Sequence, residues 1–428
     1  MLDRIDVRGI SGDLRAVLAR PQAAGPGVSA AVAGIIADVR AGGEAAVRAL
    51  TARLDLADVP EPRVDGVEIA AALERTSPGL RAALELARDQ IVAWHEAQRE
   101  REPHHERLGI EVTELVVPVD RAGCYVPGGR APLASSVLMT AIPARVAGVP
   151  EVVLCSPPEA SGRPHDAILA AAAIAEVDEV YAIGGAQAVA AMAFGAGALR
   201  PVDVIVGPGN AYVVEAKRQV FGTVGIDGLA GASEVAIVAD DTVDAAWVAV
   251  DLLAQAEHGP GGAVALIVWD EAVAERVELA LDTLLVTATR RDEAVSTLDA
   301  AGRVILVDDA ARALDAANAI APEHLELMCA SADLLVPLVR NAGAVFVGAH
   351  APAVIGDYVA GTNHVLPTGG TARFASALRV ADFQKHIHVV RADAPALARV
   401  GPAARSIAEA EGLWAHADAI RMREEPQS

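Results

Sequence analysis

Short, almost wholly apolar runs recur along this chain, each closing on a turn and followed by a helix-period stretch. Val152-Val153-Leu154-Cys155 precedes an Ala-rich segment at 165–176. Val180-Tyr181-Ala182-Ile183 ends at Gly184-Gly185, and Val204-Ile205-Val206 ends at Gly207-Pro208-Gly209-Asn210 before a helical run to about 221. A second set follows: strands at 235–239, 263–269 and 303–307, alternating with helices at 243–256, 272–285 and 310–318. Strands apolar on both faces must be covered on both faces, and a helix between successive strands makes them parallel. The pattern therefore predicts an α/β protein of two similarly built parallel-sheet units. The 428-residue length agrees, being too great for one core.

The flanking segments read differently. Residues 30–55 and 66–100 have the helical period, and Arg101-Glu102-Pro103-His104-His105-Glu106 breaks the second of them. A strand is predicted over 109–117, closed by Pro118, and a strand–helix–strand pattern begins near 121 with a helix at 133–147. The last ~45 residues read as charged helical segments without a strong strand.

Composition excludes several functions. Acidic residues outnumber basic ones by 57 to 35, a net charge of −22, so no basic stripe exists for nucleic acid. With 5 Phe, 4 Trp and 4 Tyr, stacking platforms are scarce and cores must be aliphatic. The only lysines are Lys217 and Lys385, and neither lies in a P-loop pattern. No apolar run approaches membrane-spanning length, and the charged start Met1-Leu2-Asp3-Arg4 is unlike a secretory signal. Three scattered cysteines, Cys124, Cys155 and Cys329, read as reduced thiols of a cytoplasmic protein, with Cys124 a buried thiol rather than a reactive one.

Chemistry-bearing residues gather at the turns. Glycines at 128–129, 184–185 and 207–209 follow strands, where backbone amides and helix starts can meet an anionic ligand. Tyr125, Gln187 and Asn210 stand beside these turns, although no full G-x-G-x-x-G follows any strand, so ordinary βα turns fit as well. Gln255 and His258 share one face of a helix end and read as two metal ligands or a solvated face. Glu323-His324 after Pro322 reads as an acid/base pair or a surface pair. Asp357 follows a glycine in an apolar run, and His364 lies in Gly361-Thr362-Asn363-His364. His95 reads as lining a helix face, His165 as near a helix start, and His104, His105, His386 and His388 as solvated or at a strand edge. A carboxylate, two imidazoles and an amide oxygen suit zinc, but spacing alone cannot assemble groups from distant segments.

Taken in order, the motifs resemble the histidinol dehydrogenase family over nearly the whole chain. They are Gly123-Cys124-Tyr125-Val126-Pro127-Gly128-Gly129, Ser135-Ser136-Val137-Leu138-Met139, Gly184-Gly185-Ala186-Gln187-Ala188 and Gly207-Pro208-Gly209-Asn210-Ala211-Tyr212-Val213. They continue with Ala254-Gln255-Ala256-Glu257-His258, Pro322-Glu323-His324-Leu325-Glu326 and Gly361-Thr362-Asn363-His364-Val365-Leu366-Pro367-Thr368. The resemblance implies an enzyme that oxidises L-histidinol to L-histidine through the aldehyde, in two hydride transfers that consume two NAD. It implies two incomplete Rossmann-like domains. One comprises 26–120 and 237–376 and carries most metal and catalytic residues; the other, 121–236, binds NAD. A small terminal region of 1–25 and 377–428 would hold an arm swapped within a homodimer.

The same resemblance implies one Zn²⁺ per subunit, held by Gln255, His258, Asp357 and, across the dimer, His416. His324 would be the base for the alcohol, and Glu323 would activate water. Ser233, Gln255, His258, His324, Asp357, Glu411 and His416 would bind substrate, and Tyr125, Gln187 and Asn210 would contact NAD. Two positions depart from the family pattern. Ala232 in Ala230-Gly231-Ala232-Ser233-Glu234 replaces a proline, and Arg379 in Ser376-Ala377-Leu378-Arg379-Val380 replaces a small polar residue. The competing expectations are a related zinc- and NAD-dependent dehydrogenase of another small polar alcohol, and a non-catalytic α/β ligand-binding protein.

Overall fold

In the computed structural model, residues 2–18, 26–99, 103–128, 131–259 and 261–424 are described. Gly129 of the first glycine turn and Arg101-Glu102 of the helix break lie outside them. Two all-parallel sheets dominate. The larger has six strands in the spatial order Asp3–Asp6, Gly302–Leu306, Ala263–Val268, Glu234–Ala239, His324–Met328, Ala344–Val347. The smaller has five, in the order Glu179–Ala182, Glu151–Ser156, Arg121–Tyr125, Val204–Val206, Gly225–Ile226.

Both sheets are covered on both faces, as apolar strands require. Val235, Ile237 and Ala239 enter one core, while Ala236 and Val238 point into another on the opposite face. In the smaller sheet Val152 and Leu154 face one core, and Val153 and Cys155 the other. These cores are built from Ala, Val, Leu and Ile, as the aromatic shortage dictates. All three cysteines are free and buried. Among the described residues no helix is long and apolar enough to cross a membrane.

Three segments differ from the sequence expectation. The N-terminal strand Asp3–Asp6 pairs with Gly302–Leu306, so residues expected in a terminal region join the six-stranded sheet. Its charged residues are tolerated because an edge strand leaves one side to water. The helices over 26–96, expected beside the strands of 237–376, pack on the five-stranded sheet instead. Val32, Val39, Val47 and Leu50 share a core with Val153 and Ile205, and Leu84 and Ile91 share one with Leu138 and Leu154. The C-terminal region contains a strand after all: Gln384–Arg391 pairs antiparallel with Ile110–Pro118, which also pairs with His104–Arg107. Its mixed polar and apolar sequence lacks a buried face, which hid it from a hydrophobic pattern.

The long N-terminal helix, Pro26–Leu54, is interrupted at Gly43, whose φ of 54° breaks helical geometry. The predicted helix at 66–100 is two, Gly66–Arg75 and Pro78–Glu96, separated where the Ser77 hydroxyl caps the second by accepting from Leu80 N. His95 is buried within the second helix, and His165 caps Asp166–Ile174, accepting from Ala167 N at 3.0 Å.

Candidate active site

The turns over Gly184–Gly185 and Gly207–Asn210 leave the carboxyl ends of strands in the five-stranded sheet. Strand order reverses on either side of Arg121–Tyr125, so a crevice opens between it and Val204–Val206, the usual ligand position in a parallel sheet. Tyr125, at the end of the central strand, accepts a hydrogen bond from Gly185 N at 3.0 Å through its hydroxyl. Gly207 has a φ of 117°, and a Cβ there would collide with the Tyr125 carbonyl. Tyr125 thus braces two of the turns and is itself buried. Gln187 is buried on the helix Gly185–Phe194, and Asn210 is exposed, its Oδ1 accepting from Tyr212 N and Val213 N to cap Ala211–Val220.

Glu323 and His324 occupy the opposite kind of edge, the amino end of a six-stranded-sheet strand. They are 5% and 4% exposed, so they are not a surface pair. The strand alternates: Leu325 and Leu327 enter a core, while His324 and Glu326 take the other face. Next to it, Glu234 opens the parallel neighbour. Glu234 N donates to Glu323 Oε2 at 2.8 Å, and His324 Nδ1 lies 3.1 Å from Glu234 O. With Nδ1 held as a donor, the second nitrogen, Nε2, faces Asp357 Oδ1 at 3.2 Å. Ser233 immediately precedes this contact, and its carbonyl accepts from Ala263 N.

The electrostatics follow from burial and crowding. Desolvation drives the Glu323 carboxyl up to about 7, against the opposing pull of His324 and the Glu234 amide. Burial alone would lower His324, but Glu323 and Asp357 outweigh it and raise the imidazole to about 9. Burial pushes Asp357 up, yet the hydrogen bond and charge of His324 leave it below its usual value.

Gln255 is buried near the end of the helix Ala245–Ala256, and His258 follows just past it. A helix returning from strand Glu234–Ala239 delivers its C-terminus to the amino edge of the sheet, which brings both residues to the side where Glu323 and His324 sit. Asp357 arrives from the helix Ala353–Tyr358, and its charge is felt by His258, His324 and His364. Glu326 links these supports: its Oε1 accepts from Ala353 N at 2.8 Å, and its buried carboxyl, raised to about 8, interacts with Asp251 on the Gln255 helix.

Gln255, His258 and Asp357 carry donor types that suit a divalent cation. His258 Nδ1 lies 3.1 Å from Ala254 O and 3.2 Å from Gln255 O, which leaves Nε2 with its lone pair free for a metal. The Gln255 amide Nε2, a hydrogen-bond donor and not a metal ligand, is buried without an acceptor among the described residues; only the amide oxygen could face a cation. An amide oxygen, an imidazole and a carboxylate would leave a tetrahedral ion one further ligand to find. No cluster of three His, Cys, Asp or Glu suited to a metal occurs among the described residues.

His364 cannot supply the fourth donor. Its Nδ1 lies 2.8 Å from Asp357 O and its Nε2 2.9 Å from Ser136 Oγ, so both ring nitrogens are engaged. It ties the Asp357 helix to the helix Ala134–Ala147 over the other sheet, a bracing role that sequence reading did not assign. Its neighbour Asn363 adds a second tie, donating to Met139 O at 2.7 Å. Glu411, capping the helix Ala394–Ala410, and His416, on the helix Trp414–Glu424, are both exposed, and no hydrogen bond or ion pair to this cluster is found for their side chains among the described residues. One chain therefore assembles Ser233, Gln255, His258, Glu323, His324 and Asp357 but not its own Glu411 and His416.

The two edges are joined by one loop. Gly209 N donates to Ala230 O, Gly231 N to Thr368 Oγ1, and Gly369 N to Glu234 Oε1. Ala232 is exposed within this loop, whose hydrogen bonds on either side keep it anchored without the family's proline. Arg379 is exposed at the start of the short helix Val380–Phe383.

A family model described as histidinol dehydrogenase matches residues 18–424. The histidinol dehydrogenase of Rhizobium meliloti is 48% identical over 414 residues, which is 96% of this chain and 95% of the relative. That of Thermobifida fusca is 46% identical over 430 residues, 99% of this chain and 98% of the relative. The crystal structure of histidinol dehydrogenase from Elizabethkingia anophelis matches with a TM-score of 0.94 at 34% identity, covering 99% of this chain and 98% of that one.

Proposed function

Because this chain belongs to the histidinol dehydrogenase family, we propose that it oxidises L-histidinol to L-histidine through L-histidinal, with two successive hydride transfers to NAD, closing histidine biosynthesis. The observation that carries this reading is the buried Glu323–His324 pair set against Asp357 at the amino edge of the six-stranded sheet. Zn²⁺ would be held by Gln255, His258, Asp357 and His416 from a second copy; when bound, zinc polarises the substrate oxygen and NAD takes up the hydride.

The chain's own groups handle the protons. His324, raised to about 9 between Glu323, Glu234 O and Asp357, is a strong base: in the fraction that has given up its Nε2 proton it takes the hydroxyl proton as hydride leaves the adjacent carbon. Glu323 then takes one proton from water as its oxygen adds to the aldehyde, giving the hydrate's anion, which surrenders the second hydride and leaves the carboxylic acid. A carboxyl near 7 ionises readily at neutral pH and still accepts a proton well. Ser233, Glu411 and His416 would hold the substrate's polar ends, and Tyr125, Gln187 and Asn210 would line the dinucleotide site. The segment from Gly207 to Glu234, with its helix Ala211–Val220, connects both sites, so substrate and dinucleotide would meet between the two sheet edges.

The enzyme works as a cytoplasmic homodimer in this reading. Two features support a second copy: the missing fourth donor, and an uncovered apolar surface on the ribbon and the terminal helices. Leu115 and Ile387 form an exposed cross-strand pair, and Val390, Ile407, Trp414 and Met422 are also exposed. The test is the number of NADH formed per L-histidinol consumed, with and without a chelator. Two NADH, lost on chelation and regained with zinc, is the expected result; no histidinol-dependent NADH from zinc-loaded protein would overturn the reading.

A further inference from the structure

Asp55, just past the helix Pro26–Leu54, reaches the turn after strand Glu179–Ala182 and has no part in the chemistry above. Its Oδ2 accepts from Gln187 Nε2 at 2.9 Å, and its carboxylate also takes a hydrogen bond from Gly184 N. A Cβ on Gly184 would sit 2.8 Å from Asp55 Oδ1, so glycine is what lets the carboxylate lie against the turn. Asp55 is only half-buried, and its remaining lone pairs are open to a ligand.

Gln187 supplies the second observation. It is 1% exposed, and its Oε1 has no hydrogen-bond partner among the described residues. The amide orientation is fixed, because only Nε2 can face the Asp55 carboxylate. The place therefore offers acceptors in excess: a carboxylate and an unmet amide oxygen. The groups that act on Asp55 are neutral, and no cation contributes to its electrostatics. An anionic ligand group would meet uncompensated repulsion, whereas paired hydroxyls would satisfy both acceptors.

We propose that Asp55, with Gln187, receives the vicinal diol of the dinucleotide's adenosine ribose and makes this enzyme select NAD over its 2′-phosphorylated counterpart. The inference rests on the NAD reading above. A carboxylate at the edge of a nucleotide-binding sheet accepts the ribose hydroxyls and repels a 2′-phosphate. Burial raises the Asp55 carboxyl to about 6, so it is ionised in a neutral or alkaline assay. The competing role is structural: Gly184 brings no side-chain cap of its own to the helix Gly185–Phe194, and in that role Asp55 only replaces the cap.

Steady-state kinetics of the zinc-loaded dimer with NAD and NADP, for the unaltered chain and Asp55→Asn, separate these roles. The expected result is a KM for NAD raised about tenfold, the loss of one charge-assisted hydrogen bond, with kcat and the KM for histidinol nearly unchanged. The preference for NAD over NADP should shrink at least about tenfold as repulsion is relieved. An equal loss with both dinucleotides, or an unchanged ratio, assigns Asp55 to capping and overturns the proposal. A second measurement needs no variant: 2′-deoxy-NAD should show a KM about tenfold above that of NAD with the unaltered enzyme, and equal values would also overturn it. If the unaltered enzyme reduces neither dinucleotide with histidinol, the NAD reading fails and this assignment falls with it. If it reduces NAD and the ratio stays fixed in Asp55→Asn, only the assignment to Asp55 fails.

Discussion

Replacing Lys217 by methionine should both destabilise the protein and loosen its dinucleotide turn. The ammonium is 1% exposed and pairs with Asp227, whose side chain is also buried. Lys217 Nζ donates to Gly207 O at 2.8 Å, and the Asp227 carboxylate accepts from Gly207 N and Gly228 N at 2.7 Å each. The pair therefore fixes both backbone groups of Gly207, at the head of the turn that ends in Asn210. Removing one member of a buried pair strands the other, at a cost of roughly 3–5 kcal/mol. Two amide donors remain on Asp227, which places the loss near the low end, about 3 kcal/mol.

The double variant Lys217→Met/Asp227→Asn carries no stranded charge and should recover about 1 kcal/mol or more of that loss. Urea unfolding followed by circular dichroism reads both effects as midpoint shifts at constant slope. In folded Lys217→Met, the KM for NAD should rise about tenfold while that for histidinol holds, because only the turn is disturbed. A loss below about 1 kcal/mol, or a double variant no more stable than the single, would refute the reasoning that a stranded charge dominates.

Glu323→Gln should leave the first oxidation largely intact and slow the second by about 10²–10⁴-fold, since general-base help to water is what it removes. NADH per histidinol would fall from two towards one, and histidinal would accumulate; equal slowing of both steps would contradict the division of labour. Oxidation of supplied histidinal should rise with pH through about 7, because Glu323 acts as a base only when ionised and its buried carboxyl is raised to that range. The same profile measured on Glu323→Gln should lose this limb. Gly207→Ala should be strongly destabilising, by about 2–4 kcal/mol, because the side chain meets the Tyr125 carbonyl in a backbone conformation of positive φ; a thermal melt checks it.

The central elements were legible because their strands are unbroken apolar runs: Glu151–Ser156, Glu234–Ala239 and Ala263–Val268 are each buried on both faces. The strand His324–Met328 was not read from the pattern. It begins with a Glu-His pair that looks like surface, and its polar alternation belongs to a site rather than to solvent. The edge strand Asp3–Asp6 and the ribbon strand Gln384–Arg391 are mostly exposed, so hydrophobicity carries no signal for them. Which sheet the helices of 26–96 cover is a tertiary choice that local periodicity cannot express. Ser233, Glu411 and His416 were named through resemblance and the others from local pattern, yet which of them meet depends on segments far apart in sequence. His364 and Asp55 were left without roles because their significance lies in partners far away in sequence, Ser136 and Gln187.

The central claim is the proposal that each site is completed by a second copy of the chain, whose Glu411 and His416 are exposed on the terminal helical region. Subunit complementation tests it most directly. His416→Ala and His324→Ala proteins, each inactive alone, are mixed and allowed to exchange subunits. Half of the dimers become hybrids with one intact site of two, so about one quarter of unaltered activity should return. No return of activity, with exchange confirmed, would contradict a site shared between two chains.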